Sequence, residues 1–164
     1  MSELITGDLS SYIVSQLDEQ GIAIPKVAAT YRPDLPEDIT ELEDEDLMVL
    51  YTQFIAYSDF LNTQLACAII DEKELERRIG LAEAENMITQ STGTKTTVTA
   101  MKATLEVNDE VRAAKVEHLQ KYAYRKMLET IANNTERHSA VCSRELTRRT
   151  AGDNYKTRSR KFTI

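Results

Sequence analysis

At 164 residues the chain has room for one domain with tails. Five glycines, three prolines and no tryptophan, beside abundant Ala, Leu, Glu, Lys and Arg, belong to a long-helix protein rather than a sheet protein. The net charge of −7 hides a division: residues 1–100 carry 6 Lys+Arg against 19 Asp+Glu, and residues 101–164 carry 14 against 8. Such polarity points to a polyanionic or acidic partner at one end and to self-attraction or a basic partner at the other. Cys67 and Cys142 each sit inside a predicted helix with no second thiol nearby, which predicts a reduced, intracellular protein. No apolar run approaches the roughly 18 residues of a membrane span, and the N-terminus lacks a basic region followed by a hydrophobic one. A cytoplasmic protein without membrane contact is the expectation.

In chain order, residues 8–20 predict a short helix with Asp8 as N-cap, an apolar face of Leu9, Tyr12, Ile13 and Leu17, and Gly21 at its end. From Ile22 to Pro36 the three prolines favour an extended arm lying across a neighbouring element. Seven of the ten residues from Glu37 to Asp46 are acidic, and Thr40 with Glu43 fits a capping box for the helix that follows. Water-exposed carboxylates account for this block; so does mimicry of a nucleic-acid backbone that docks a basic partner or competes for the chain's own basic end.

Glu43 to Ile88 contains no proline and only Gly80 among glycines. Alternating steps of three and four meet Leu47, Leu50, Phe54, Tyr57, Leu61, Leu65, Ala68, Glu72, Leu75, Ile79 and Ala82, ten of them apolar. That is a helix with a seam, and it needs a partner along its length. Two consecutive steps of four, Tyr57 to Leu61 to Leu65, insert a stutter. Thr89 to Ala100, with six threonines and Gly93, predicts a loop. Its Gly93-Thr94-Lys95-Thr96 lacks the glycine spacing and Gly-Lys pair of a phosphate loop.

A second helical stretch is expected from about Ala100 to Thr150, with Leu105, Val111, Ala114, Leu119, Tyr122, Ala123, Met127, Leu128 and Ile131 as apolar positions. Asn133 to Ser139 interrupts the pattern as a possible bend. The fold class is therefore all-α: a long antiparallel, coiled-coil-like helical hairpin with a short N-terminal helix and extended arm, forming oligomers to cover its remaining apolar surface. Domain organisation reads as 1–40 (N-terminal helix and arm), 41–151 (hairpin, loop about 89–100) and 152–164 (basic tail).

Catalytic motifs are missing. His118 and His138 are twenty residues apart, so no metal and no cofactor is expected, and both are placed on polar faces. Neither cysteine has a basic neighbour to activate a thiolate, and no carboxylate has the surroundings that raise a pKa. A non-enzyme is the expectation. Nucleic-acid candidates are better defined. Arg137, Arg144 and Arg148 fall within about 20° of one line on a helix, while Arg149 is satisfied by Glu145 four residues earlier. Tyr155, Lys156, Arg158, Arg160, Lys161 and Phe162 alternate charge with rings, a pattern suited to phosphates and unpaired bases; a solvated tail is the alternative. Lys73, Arg77 and Arg78 form a smaller cluster in which Glu74 stands four before Arg78.

The segment LEVNDEVRAAKVEHLQKYAYRKMLETIANNTERHSAVCSRELTRRTAG (Leu105 to Gly152), after a helix opening near Leu50-Tyr51, basic residues towards its end and a glycine-containing loop, resembles the phage recombination mediators of the UvsY type. Glu145, Arg148-Arg149 and Ala151-Gly152 carry the closest likeness. The acidic N-terminal region before residue 47 and the basic end after Gly152 extend beyond it. The resemblance implies a homo-oligomer that binds single-stranded DNA and helps a recombinase displace the single-strand-binding protein, in the host cytoplasm if phage-encoded, with DNA contacts at Arg77 and Arg78. Two rivals remain open: a virion or assembly protein, scaffold or adaptor, whose acidic and basic halves mate between subunits, and a helix-turn-helix with Ala140 to Arg149 as recognition helix.

Overall fold

The computed structural model describes residues 3–28, 32–91 and 108–161, the side chains of 90, 91 and 153–161 lying outside the description. Among the described residues the chain is all-α: α1 (Asp8–Glu19), a short 3-10 turn (Ile39–Glu41), α2 (Asp44–Ser91) and α3 (Asp109–Lys161). Helices α2 and α3 pack together as a long hairpin, the fold class that the two amphipathic stretches predict. The chain divides into two compact units. Unit 1 comprises Met1–Leu4, Ile24–Thr63 and Glu129–Ile164; unit 2 comprises Ile5–Ala23 and Gln64–Leu128.

Each helix start has an identifiable cause. In unit 1, α2 opens when Leu47 N–H donates to the Glu43 carbonyl at 2.9 Å. Asp44, Glu45 and Asp46 fill its first turn, where carboxylates stabilise the positive end of the helix dipole. Thr40 does not act as the N-cap expected of it. Its N–H and hydroxyl donate to Asp38 at 2.8 and 2.6 Å, closing the 3-10 turn instead. In unit 2, Asn108 caps α3 by accepting from Glu110 and Val111 N–H at 3.0 and 3.3 Å. The helix therefore starts at Asp109, later than the expected Ala100, and the Asn-Asp-Glu signal marks the start. Gly7, not Asp8, is the N-cap of α1. Having no side chain to offer, it is served from α2: the Asp71 carboxylate accepts from Gly7 N–H at 2.7 Å and from Ser10 N–H at 3.4 Å. Gly21 ends α1 as expected, with a φ of 74° that favours glycine.

Unit 1 has an apolar core. Leu47 and Phe54 of α2 meet Cys142 of α3, and Leu35, Ile39, Leu42, Leu50, Tyr51 and Leu146 pack around them. The proline-containing arm thus lies across a neighbour, delivering Leu35 to this core. Its other end is held by an antiparallel bridge between Glu3 and Val27, with Leu4 N–H donating to the Lys26 carbonyl at 2.8 Å. His138 is not on a polar face: its ring stands edge-on to Phe54 at 5.5 Å.

Unit 2 is held by polar groups. Gln64 grips the Ile5 backbone with both ends of its amide, each bond 2.7 Å long. Asp71 caps α1 two turns further along α2, and Arg78, two more, reaches Asp8 at 3.8 Å. On the seam itself, Glu72 is the one polar member, and it meets Arg125 of α3 in a largely buried ion pair. Lys115 reaches Glu83 at 2.7 Å and Asn108 reaches Asn86 at 3.4 Å, so the register runs antiparallel. All eleven seam positions of α2 are buried or half-buried.

The matching face of α3 in unit 2 corrects the expected one. Val111, Ala114, His118, Lys121, Arg125 and Leu128, in steps of three and four, are the buried and half-buried positions. Leu119, Tyr122, Ala123 and Met127, expected among the packed apolar positions, are exposed. Arg125 and Lys115 of α3 are engaged by Glu72 and Glu83 of α2, and Val111, Ala114 and Leu128 share the packed face. Further along, α3 runs through Asn133–Ser139 without a break, the Thr135 hydroxyl donating to the Ile131 carbonyl at 2.9 Å. No turn precedes Ala140, which removes the helix-turn-helix reading. The backbone also stays helical past Gly152 to Lys161, where a tail is expected. Helix α2 runs on through Thr89 to Ser91, where the loop is expected to have begun, and the rest of that loop, 92–100, like Leu105, lies outside the described residues.

Candidate nucleic-acid interface

Two groups of predicted cations fall in different units. In unit 2, on α2, every member of the first group lies against a carboxylate. Lys73 Nζ meets Glu76 at 2.6 Å, Arg77 donates twice to Glu74 at 2.9 Å, and Arg78 Nε donates to Glu74 at 2.9 Å. Hydrogen bonds from Arg77 and then Arg78 hold the Glu74 carboxyl at about 2, well below its ordinary range. Glu76 raises the Lys73 ammonium pKa in the same way. A phosphate approaching this group must displace carboxylates already in place, so much of its positive field is cancelled locally.

The second group belongs to α3 in unit 1. Arg137 and Arg144 are exposed and form no ion pair among the described residues. They stand seven residues apart, two turns and roughly 10 Å along one face. Arg148, one turn beyond, is tied to Glu145 at 2.6 and 2.7 Å, though its side chain stays largely exposed.

Arg149 does something different. Its guanidinium donates to Glu145 at 2.8 Å, to Asp44 at 2.6 Å and to the carbonyls of Leu42, Ile39 and Thr40 at 2.7, 3.3 and 3.1 Å. The planar fork reaches three carbonyls of the turn before α2, fastening the acidic block to α3. Glu145 is its support: buried, and held at about 2 by hydrogen bonds from Arg148 and Arg149. The Glu145–Arg149 pair is legible at four-residue spacing, whereas the bonds to residues 39–44 span more than a hundred positions. Arg125 is likewise missed by a search for cation clusters; its only sequence signal is a glutamate in the opposing seam.

The side chains of Tyr155, Lys156, Arg158, Arg160 and Lys161, and all of Phe162, lie outside the described residues. Burial pushes the Cys67 and Cys142 thiols up, the opposite of what a nucleophile requires. Among the described residues no group of three His, Cys, Asp or Glu could hold a metal ion, and no helix is long and apolar enough to cross a membrane.

Fold and site together define a helical hairpin whose unit 1 carries exposed arginines on one face. Comparison with known proteins gives no matching family model, no matching curated protein and no matching solved structure.

Proposed function

We propose that this chain is a non-catalytic, single-stranded-DNA-binding accessory protein of the recombination-mediator kind, acting as a homo-oligomer. The observation that carries the reading is the pair Arg137 and Arg144, exposed on one face of α3 without carboxylate partners among the described residues. The backbone of the same helix continues to Lys161, through a stretch whose sequence, Tyr155, Lys156, Arg158, Arg160 and Lys161, combines cations with a ring. Lys73, Arg77 and Arg78 have a secondary part, since each is already engaged. A recombinase or single-strand-binding protein is the partner this activity calls for, and the reading is independent of sequence-specific contacts.

The test is binding of a fluorescent oligothymidine across a salt series. Arg137→Glu with Arg144→Glu is expected to weaken affinity at least tenfold. The slope of log K against log salt should fall by about 1.4, roughly 0.7 for each lost phosphate contact on a single strand. A weak, salt-independent curve for the unaltered chain contradicts the reading. A second reading, a structural assembly protein of a virion, is favoured by the apolar surface that α3 exposes in unit 2, and such a protein assembles whether or not DNA is present.

A further inference from the structure

Asn133–Ser139 is expected to bend α3, yet the helix runs through it without a break. Two of its polar side chains are engaged inside unit 1: Thr135 is buried, its hydroxyl donating to the Ile131 carbonyl at 2.9 Å, and His138 stands edge-on to Phe54. Asn133 and Asn134 are not. Both are exposed, and neither amide has a hydrogen-bond partner among the described residues. They cap nothing either, since α3 begins at Asp109 and runs to Lys161. Asparagine is among the poorer helix formers, because its amide competes with the backbone for hydrogen bonds. Two in succession at solvent-facing positions of a helix interior weaken it where alanine, glutamate or lysine would strengthen it. Local choices that cost stability and find no partner in the fold gather at functional sites.

Their place on the helix says which site. Lying four residues before Arg137, Asn133 is turned about 40° to one side of the line through Arg137, Arg144 and Arg148; Asn134, three before, is turned about 60° to the other. The two amides straddle that line one turn, roughly 5 Å, ahead of its first arginine. We propose that Asn133 and Asn134 are base-contacting residues of the single-strand site, hydrogen-bonding the edges of unpaired bases while the arginines hold the phosphates. The chemistry separates the two roles. A phosphate presents acceptors alone and is matched by a guanidinium, which has donors alone. A base edge presents donors beside acceptors, and a carboxamide, with its NH2 and its carbonyl oxygen, answers both. Turning the amide over exchanges donor for acceptor, so the contact adds affinity for bases without requiring one sequence. The inference rests on the single-strand reading above and adds to it a contact that phosphates cannot supply.

The test uses the full chain and two fluorescent strands of equal length and equal phosphate count, an oligothymidine and an abasic strand. Asn133→Ala with Asn134→Ala should weaken oligothymidine binding about tenfold. The slope of log K against log salt should stay as it is, and so should affinity for the abasic strand, because no phosphate contact is lost. By circular dichroism the same variant should melt at a higher temperature than the unaltered chain, alanine being the better helix former at exposed positions. Unchanged affinity for oligothymidine, a loss as large on the abasic strand, or a lowered melting temperature overturns the proposal and leaves the arginine contacts standing. An unaltered chain that binds neither strand, or binds without salt dependence, overturns the single-strand reading and this assignment with it.

Discussion

The two units use one helix in opposite ways. In unit 1, α3 turns Cys142 and Leu146 inward onto Leu47 and Phe54, and its exposed side carries Arg137 and Arg144. In unit 2 the same helix turns Arg125, Lys121 and His118 inward and exposes Leu119 and Met127. The first arrangement buries Leu47, Phe54 and Cys142 while Met48, Val49 and Ile55 of α2 stay exposed. The second engages Glu72 and Glu83 with Arg125 and Lys115 and leaves Leu119 and Met127 of α3 exposed.

The largest effect should come from the core of unit 1. Phe54→Ala removes a fully buried ring that contacts His138 and should destabilise the protein by about 3–5 kcal/mol, read from a denaturant midpoint. A loss below about 1 kcal/mol would break the contrast by showing that this core is not packed. In unit 2 the corresponding test is Arg125→Met, which strands Glu72 in the seam and should cost roughly 3 kcal/mol. The double replacement Glu72→Leu with Arg125→Met should recover most of it; failure to recover would mean that the cation does more than neutralise Glu72.

A smaller effect distinguishes the two depressed carboxyls by pH. Glu145 and Glu74 are both held at about 2 against an ordinary 4.5. A carboxyl lowered on folding stabilises fully above its unfolded pKa and loses that contribution as pH falls through the folded value, here from about 4.5 towards about 2. Both arginines of Glu74 lie on its own helix, so Glu74→Gln should leave melting temperatures nearly unchanged. Glu145 supports Arg149, which fastens residues 39–44, so Glu145→Gln should lower the melting temperature near neutral pH and flatten its decline in acid. Equal behaviour of the two variants would remove the distinction between a local pair and a tertiary clasp.

Much of the fold was readable because its signals are local. A stretch from Glu43 to Ile88 without proline, with apolar residues every three or four positions, has few alternatives to a helix, and Gly21 closes α1 because its backbone takes a positive φ. What escaped is non-local. The rotation of α3 in unit 2 cannot be had by counting its apolar residues, since Glu72 and Glu83 on another helix engage its Arg125 and Lys115. The cap of α1 comes from Asp71, 64 residues from Gly7, with nothing at position 7 to announce it. For the candidate site, the Glu74–Arg78 pair was legible at four-residue spacing, and the three-residue pairs of Lys73 and Arg77 had the same kind of signal. That Arg137 and Arg144 stay unpaired among the described residues depends on which carboxylates the fold leaves near them.

The contrast between units rests on which side of α3 faces outward in unit 2, and thiol labelling reads this directly. Leu119→Cys and Leu128→Cys are introduced one at a time and labelled in dilute protein, the native Cys67 and Cys142 being buried. With Leu119 65 % and Leu128 7 % exposed, the account predicts labelling at 119 at nearly the rate of a free thiol and strong protection at 128. Protection at 119 with rapid labelling at 128 would contradict it.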